Sequence, residues 1–250
     1  MAQSFFIWNG VDCRAMGIVM RAPAAIIRAE ERVNHVEIPG RSGDLTETEG
    51  ENIFNSYIQT VSMIVRGGYR VREVYKWLRG AGYVTFSGEP DRRQKARVIG
   101  AITLNKHSRN LDYWEGEVQF YCQPYKERLT SGEIQVASGG TIRNDGDVEA
   151  RPRYRIKTKA NLGASETVTL AVDGDGTPAG NSITLTGAES EKWYLIDADT
   201  MEVTNWDLEL TKSNYTNLTS GAFPVLGVGA NTVTGSGWTE LHIIPRERFL

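Results

Sequence analysis

The sequence predicts a mainly β protein of two domains, of which the second is a jelly-roll or galectin-like β-sandwich. Three observations predict this class. Short apolar runs alternate with polar residues, glycine punctuates the chain at 26 of 250 positions, and only one segment has helical periodicity. A hydrophobic content of 40% is enough for real cores without a disulfide or metal staple.

The clearest strand prediction covers residues 114–122. The even-numbered residues from Trp114 to Cys122 are apolar or glycine, whereas the odd-numbered residues, which begin with Glu115 and Glu117, are polar or amphipathic. A strand places alternate side chains on opposite faces. The pattern therefore predicts a strand with one buried face and one solvated face.

Residues 68–80 form the one segment with a helical pattern. Four residues fall at positions i, i+3, i+4 and i+7 and so share one helix face: Val71, Val74, Tyr75 and Leu78. Trp77 lies near the edge of that face, and charged side chains occupy most of the remainder. We interpret the segment as an amphipathic helix that covers a β-barrel.

The composition of the chain changes within residues 130–147, where glycine, asparagine and aspartate cluster. We place the domain boundary there, which gives domains of residues 1–132 and 133–250. The second domain has short β-type runs with turn signals between them and no helical pattern of useful length. Such a succession of short strands favours a sandwich.

Charge and targeting signals narrow the possible partners. The formal net charge is −3, so no overall basicity points to nucleic acid as a main partner. The first nine residues have no basic stretch before their apolar run, and no segment approaches the roughly 20 apolar residues of a membrane helix. We expect no membrane partner, and we expect Cys13 and Cys122 to be reduced thiols.

Catalytic and metal-binding patterns are weak. The histidines His35, His107 and His242 have no accompanying Ser-His-Asp order or G-x-S-x-G element. The acidic turn at residues 173–176 lacks the later bidentate glutamate of an EF-hand loop. We therefore expect a protein that is not an enzyme and that has no cofactor and no metal site.

Several sequence elements resemble, in their order along the chain, those of the siphophage distal tail proteins. They are the aromatic strand and glycine turn at residues 6–18, the P-G-R-x-G-x-L loop at residues 39–45, Trp77-Leu78 followed by a strand at residues 82–86, D-x-x-x-K-A-R at residues 91–97, F-x-C-x-P-Y at residues 120–125, and the terminal segments Ile196-Asp197, Phe223-Pro224, 229–232, Pro245-Arg246 and Phe249. The resemblance covers almost the whole chain, and the first half carries most of it.

This resemblance implies a structural protein of the virion, located at the tail tip and assembled in the host cytoplasm. Residues 1–132 would form a split β-barrel with one α-helix that makes a hexameric ring, and residues 133–250 would project outward. The implied partners are further copies of the chain, the tail tube protein, a tail-associated fibre or lysin-type protein and the tape-measure protein. DNA would pass through the ring without being a permanent partner.

A loop over residues 38–55, polar and rich in glycine and glutamate, is the candidate subunit interface. We hypothesise that it reaches across to a neighbouring copy; the alternative is a mobile surface loop. The residues at its centre are Arg41, Ser42, Gly43, Asp44, Leu45 and Glu47.

A second candidate surface is a strand whose alternate residues are cationic. Its members are Arg151, Arg153, Arg155, Lys157 and Lys159. They suit DNA phosphates or an acidic partner. The alternative is an exposed edge strand whose charges deter aggregation, and Pro152 favours a strand start or an edge.

Aromatic residues of the second domain provide an alternative function. Trp193, Trp206 and Trp238 are suited to stack a sugar, as in a lectin-like adhesion protein. They are equally suited to a core or to a subunit contact, since aromatic side chains are common in both.

Overall fold

The computed structural model describes residues 4–48, 53–107, 111–163, 165–205 and 219–250. The chain divides into two compact units, residues 1–129 with residue 250, and residues 130–249. Within the described ranges no helix has the length and apolar character needed to cross a membrane.

The first unit is built from antiparallel strands and one helix. Its strands are β1 Phe6–Trp8, β2 Val11–Asp12, β3 Ile18–Met20, β4 Val33–Val36, β5 Leu45–Thr48, β6 Tyr57–Arg66, β7 Ala81–Phe86, β8 Arg92–Ile99, β9 Leu104–Lys106 and β10 Tyr113–Arg128. The main sheet has the order β2-β1-β7-β8-β10-β6-β3, and β9 also pairs with β10. This sheet curls into a half-barrel.

Strand β10 sits in the middle of this sheet and follows the predicted alternation. Val118, Phe120 and Cys122 are fully buried, whereas Gln119 and Tyr121 are exposed. A register shift between Cys122 and Lys126 interrupts the pairing with β8. The period of two along residues 118–122 therefore fixes which face of the sheet meets the core.

The helix α1 spans Val71–Trp77 and follows a 3-10 turn at Gly68–Arg70. It is shorter than the predicted segment, because the backbone leaves helical geometry at Leu78. The prediction that Tyr75 belongs to the apolar face of the helix is wrong. Tyr75 is 39% exposed, and Trp77 turns inward instead, where its indole stacks on Phe6 at 5.6 Å. Trp77 therefore packs against the core beside the buried Val74 and Leu78, and Tyr75 lies outside it.

The core of the first unit centres on an aromatic cluster. The ring of Phe120 lies 5.5 Å from Phe6, 5.4 Å from Trp8 and 5.9 Å from Phe86, measured between centroids. The indole N–H of Trp77 donates to the backbone oxygen of Trp8 at 3.3 Å. The cluster therefore fastens α1 and the strands β1 and β7 to β10.

The second unit contains two five-stranded antiparallel sheets, which are made of ten of the eleven strands described for it. Its strands are β11 Ile134–Gln135, β12 Gly140–Asn144, β13 Arg153–Thr158, β14 Val168–Gly174, β15 Ser182–Leu185, β16 Trp193–Asp197, β17 Glu202–Asn205, β18 Thr219–Gly221, β19 Gly229–Ser236, β20 Trp238–Ile244 and β21 Arg248–Phe249. One sheet has the order β11-β20-β13-β16-β17 and the other β12-β19-β14-β15-β18.

The two sheets of the second unit share one core, as in a β-sandwich. Ile156 and Leu241 from the first sheet and Leu170 and Val233 from the second belong to one buried cluster. Tyr154 is also fully buried, and its hydroxyl donates to the backbone oxygen of Pro224 at 3.1 Å. The predicted mainly β fold class with one short helix is confirmed; the roles predicted for domains 1–132 and 133–250 stay predictions.

Candidate assembly surfaces

The first candidate surface is a hairpin that stands apart from the main sheet, and we call residues 33–48 the arm. Within the part of the chain that the structure describes, strands β4 and β5 pair only with each other, with Val36 opposite Leu45 and Asn34 opposite Glu47. Every residue from 34 to 47 is exposed. A two-stranded hairpin without a packed face is marginal in water, so the arm gains little stability from its own fold.

The arm presents apolar side chains to solvent. Val36 is 39% exposed, and Ile38 and Leu45 are each 38% exposed. Val36 and Leu45 are directly opposite each other and so lie on the same face of the hairpin. An exposed apolar cluster with charged neighbours is typical of a surface that binds another protein.

All six residues of the predicted interface loop lie on the arm. Arg41, Ser42 and Gly43 belong to its bend, and Leu45 and Glu47 belong to β5. The prediction of a loop throughout residues 38–55 is wrong for Leu45–Thr48, because these residues pair with β4. Apart from Leu45, β5 consists of threonine and glutamate. It has no apolar alternation, so the sequence pattern did not predict a strand there.

The centre of the basic strand is β13, which Arg151 and Lys159 flank, and β13 lies in the centre of its sheet between β20 and β16. The edge-strand interpretation is therefore wrong: both sides of β13 already pair with neighbours, so its charges do not protect a free edge. Pro152 directly precedes the strand, where its missing N–H removes no bond from the ladder.

Each cation of the basic strand has an acidic neighbour. The pairs are Arg151 with Glu149 at 4.0 Å, Arg153 with Asp197 at 2.9 Å, Arg155 with Glu133 at 3.3 Å, Lys157 with Glu240 at 3.3 Å and Lys159 with Glu166 at 3.0 Å. The outer face is therefore close to neutral, which gives little support to phosphate binding. A contact role for Arg151, Arg153 and Arg155 stays a prediction.

Asp197 is the best-connected of these acids. Its carboxylate accepts hydrogen bonds from Arg153 and from both terminal nitrogens of Arg246, the shortest at 2.7 Å. Its side chain is 9% exposed. Burial opposes ionisation, but the bonds from Arg246 and Arg153 outweigh it and hold the pKa of Asp197 below its usual value.

This lowered pKa predicts an acid-dependent contribution to stability. Because the folded pKa lies below the unfolded value near 3.8, the contribution is complete above that value and is lost as the pH falls through the folded pKa. We expect Asp197→Asn to lower the free energy of unfolding by about 2 kcal/mol at pH 7, and by progressively less below pH of about 4.

Urea denaturation of the second unit between pH 3 and 7 measures this effect. Asp173→Asn is the matched control, since Asp173 is exposed, and we expect it to change stability by less than about 0.5 kcal/mol. A pH-independent difference between Asp197→Asn and the natural chain would contradict the assignment.

Trp193 lies on the outer face of β16, opposite Lys157. It is half-buried, and its ring is occupied by neighbours of the same unit. The guanidinium carbon of Arg155 lies 4.7 Å from the ring centroid, and the imidazole of His242 packs edge-on at 5.6 Å. These contacts cover much of the ring that a sugar would need for stacking.

Trp238 belongs to the opposite face of the sheet. It pairs with the buried Thr158, packs against the core and donates its indole N–H to the backbone oxygen of Thr169 at 3.0 Å. Trp193 and Trp238 therefore do not form one aromatic platform. Trp206 lies outside the described residues, and a role in glycan or partner binding for the three tryptophans stays a prediction.

Comparisons with known proteins identify the fold. No protein-family model matches the sequence, and no curated protein sequence matches it. Solved structures do match: the chain has the fold found in phage tail hub and baseplate proteins. The predicted resemblance is confirmed at the level of the fold.

One such structure is the SPP1 Dit protein, described as a paradigm of the hub adsorption apparatus in phages that infect Gram-positive bacteria. The chain is similar to it with a TM-score of 0.77 and 16% identity, over 100% of both chains. It is also similar to chains of the activated phage P2 baseplate with calcium, with a TM-score of 0.58, 10% identity and 97% of each chain covered. The strontium form of that baseplate gives a TM-score of 0.57 and 9% identity over 96% of each chain.

Proposed function

We propose that the chain is a structural protein of a phage tail tip, a distal tail hub whose copies close a hexameric ring between the tail tube and the adsorption apparatus. One observation carries this proposal: the fold is similar to SPP1 Dit over the full length of both chains. A match that includes both units is more specific than a β-sandwich alone, since that architecture supports many functions.

A closed ring requires a contact surface of the kind that the arm provides. A ring built by one repeated contact needs two different surfaces on each subunit. The arm is an exposed segment with apolar and charged side chains and little packing of its own. We infer that it forms one of the two surfaces and reaches onto the neighbouring subunit.

The remaining partners follow from this position at the tail tip. The ring would contact the tail tube protein on one side and a tail-associated fibre or lysin-type protein on the other. The tape-measure protein, and later DNA, would pass through its centre. The protein would be assembled in the host cytoplasm, would remain in the virion and would act by binding without catalysis.

A lectin-like adhesion protein is the alternative function. The separate faces of Trp193 and Trp238 give it less support than the ring proposal receives from the arm. A glycan array distinguishes the two proposals, because a lectin binds sugars as an isolated chain, whereas the proposed hub assembles and leaves the array unlabelled.

The molar mass in solution tests the proposed function. Light scattering after size-exclusion chromatography is expected to give six times the chain mass of 27.8 kDa. A chain that keeps the mass of one copy up to high micromolar concentration would contradict the ring proposal.

A further inference from the structure

The surface around α1 carries an unusual concentration of positive charge. Over residues 66–79, five cations stand against the single carboxylate of Glu73. We call the cations and the two tyrosines among them the basic patch; its members are Arg66, Tyr69, Arg70, Arg72, Tyr75, Lys76 and Arg79. The chain as a whole has a net charge of −3, so this local excess opposes the overall balance.

The cations of the basic patch differ from those of the basic strand because they lack acidic partners. Within the ranges that the structure describes, no carboxylate forms an ion pair with any of the five, whereas each cation of the basic strand has an acidic neighbour. Arg70 is held by the backbone oxygen of Ala15 and by the hydroxyl of Tyr69, which are both uncharged. Arg72 and Lys76 are exposed and lie one helical turn apart on the same side of α1.

Aromatic side chains lie among these charges. Tyr69 is 72% exposed and Tyr75 is 39% exposed. The ring of nearby Tyr113, which is 38% exposed, lies 5.9 Å from the guanidinium of Arg66. Like charges so close together repel one another in the free chain. A partner that supplies carboxylates and apolar area would relieve the repulsion and cover the tyrosines.

The arm has the complementary composition. Its carboxylates are Glu37, Asp44 and Glu47, against one cation, Arg41. Among the described residues none of these three acids has an ion-pair partner, and all three are exposed. Glu47 lies on the same hairpin face as Leu45 and Val36, so that face offers acid and apolar side chains together.

We propose that the arm of one copy docks on the basic patch of the next copy. Among the described residues the arm is exposed and no ion pair joins it to the basic patch of the same chain, so an arm that docks on the patch would come from a second copy. Because the two surfaces differ, the contact is heterologous, and its repetition generates a ring. This inference rests on the proposed ring, and it identifies the second surface that such a ring requires.

Nucleic acid is the other polyanion to which cations and exposed tyrosines are suited. The arm is favoured because it brings apolar side chains as well as carboxylates, and because it is present at every subunit of the ring. Binding of the basic patch to nucleic acid is therefore treated as an outcome of the test.

A charge exchange across the proposed contact tests the inference. The patch variant is Arg72→Glu with Lys76→Glu, the arm variant is Glu37→Lys with Glu47→Lys, and the combined variant carries all four changes. All these residues are exposed, so each variant is expected to keep the unfolding midpoint of the natural chain. Sedimentation velocity then gives the mass of each variant over a range of concentrations.

We expect each double variant to weaken association about 100-fold or more, because like charges then face each other. The combined variant is expected to recover association to within about tenfold of the natural chain, since the charges are opposite again. A patch variant that still forms hexamers, or a combined variant that stays as single copies, would overturn the docking proposal while leaving the ring intact in the natural chain.

Two further results separate the remaining explanations. A natural chain that never associates contradicts the proposed function itself, before any variant is compared. The second readout is fluorescence anisotropy with a labelled single-stranded oligonucleotide. Oligonucleotide binding that the patch variant loses, with no change in its assembly, overturns arm docking and assigns the basic patch to nucleic acid.

Discussion

Removal of the arm is expected to convert the assembled protein to single copies. Residues 34–47 can be replaced by Asn-Gly, because Val33 and Thr48 are paired neighbours and a two-residue turn closes such a pair. The natural chain should have six times the mass of 27.8 kDa, whereas the shortened chain should have the mass of one shortened copy. The physical reason is that each ring contact would lose its projecting surface, so the contact area would fall below what a stable interface needs.

The control for arm removal is the stability of the remaining fold. Residues 34–47 are exposed and belong to neither buried core, so the unfolding midpoint should change little when they are removed. If the shortened chain keeps its midpoint and still assembles into hexamers, the arm has no role in the ring. That result would return residues 34–47 to the alternative interpretation of a surface segment.

Substitution of Phe120 by alanine is expected to cause the largest loss of stability in the first unit. Phe120 is fully buried, and its ring contacts Phe6, Trp8 and Phe86 from other strands. The substitution removes apolar contact and leaves a cavity between β1, β7 and β10. We expect the free energy of unfolding of this unit to fall by about 3–5 kcal/mol, as measured by chemical denaturation.

The matched control for Phe120→Ala lies one residue away on the same strand. Gln119 is exposed on the opposite face of β10, so Gln119→Ala should change stability by no more than about 0.5 kcal/mol. The contrast between the two variants tests the assignment of faces along β10. Equal losses at both positions would mean that the alternation of residues 118–122 does not define the core.

Local patterns predicted the parts of the fold that depend on neighbours in sequence. The period of two gave the buried face of β10, and the helical spacing gave α1 and the burial of Val74 and Leu78. The error at Tyr75 has a tertiary cause. Trp77 occupies the buried side because Phe6, which is 71 positions earlier, provides a stacking partner there, and such a distant contact leaves no trace in helical periodicity.

The candidate surfaces were less predictable because their properties depend on strands that are far apart in sequence. The cations of β13 looked like one charged face, but their partners come from elsewhere: Asp197 from β16 and Glu240 from β20. Conversely, the charges around α1 looked like the ordinary solvated side of a helix. Only the folded chain reveals that the cations of β13 have acidic partners and that, among described residues, the cations around α1 do not.

Negative-stain electron microscopy of the purified natural chain tests the central claim most directly. The account predicts ring-shaped particles with six-fold symmetry and a central opening in class averages, and particles without rings for the chain that lacks residues 34–47. Particles of the natural chain that have no central opening, or rings with another symmetry, would contradict the proposal of a hexameric tail-tip hub.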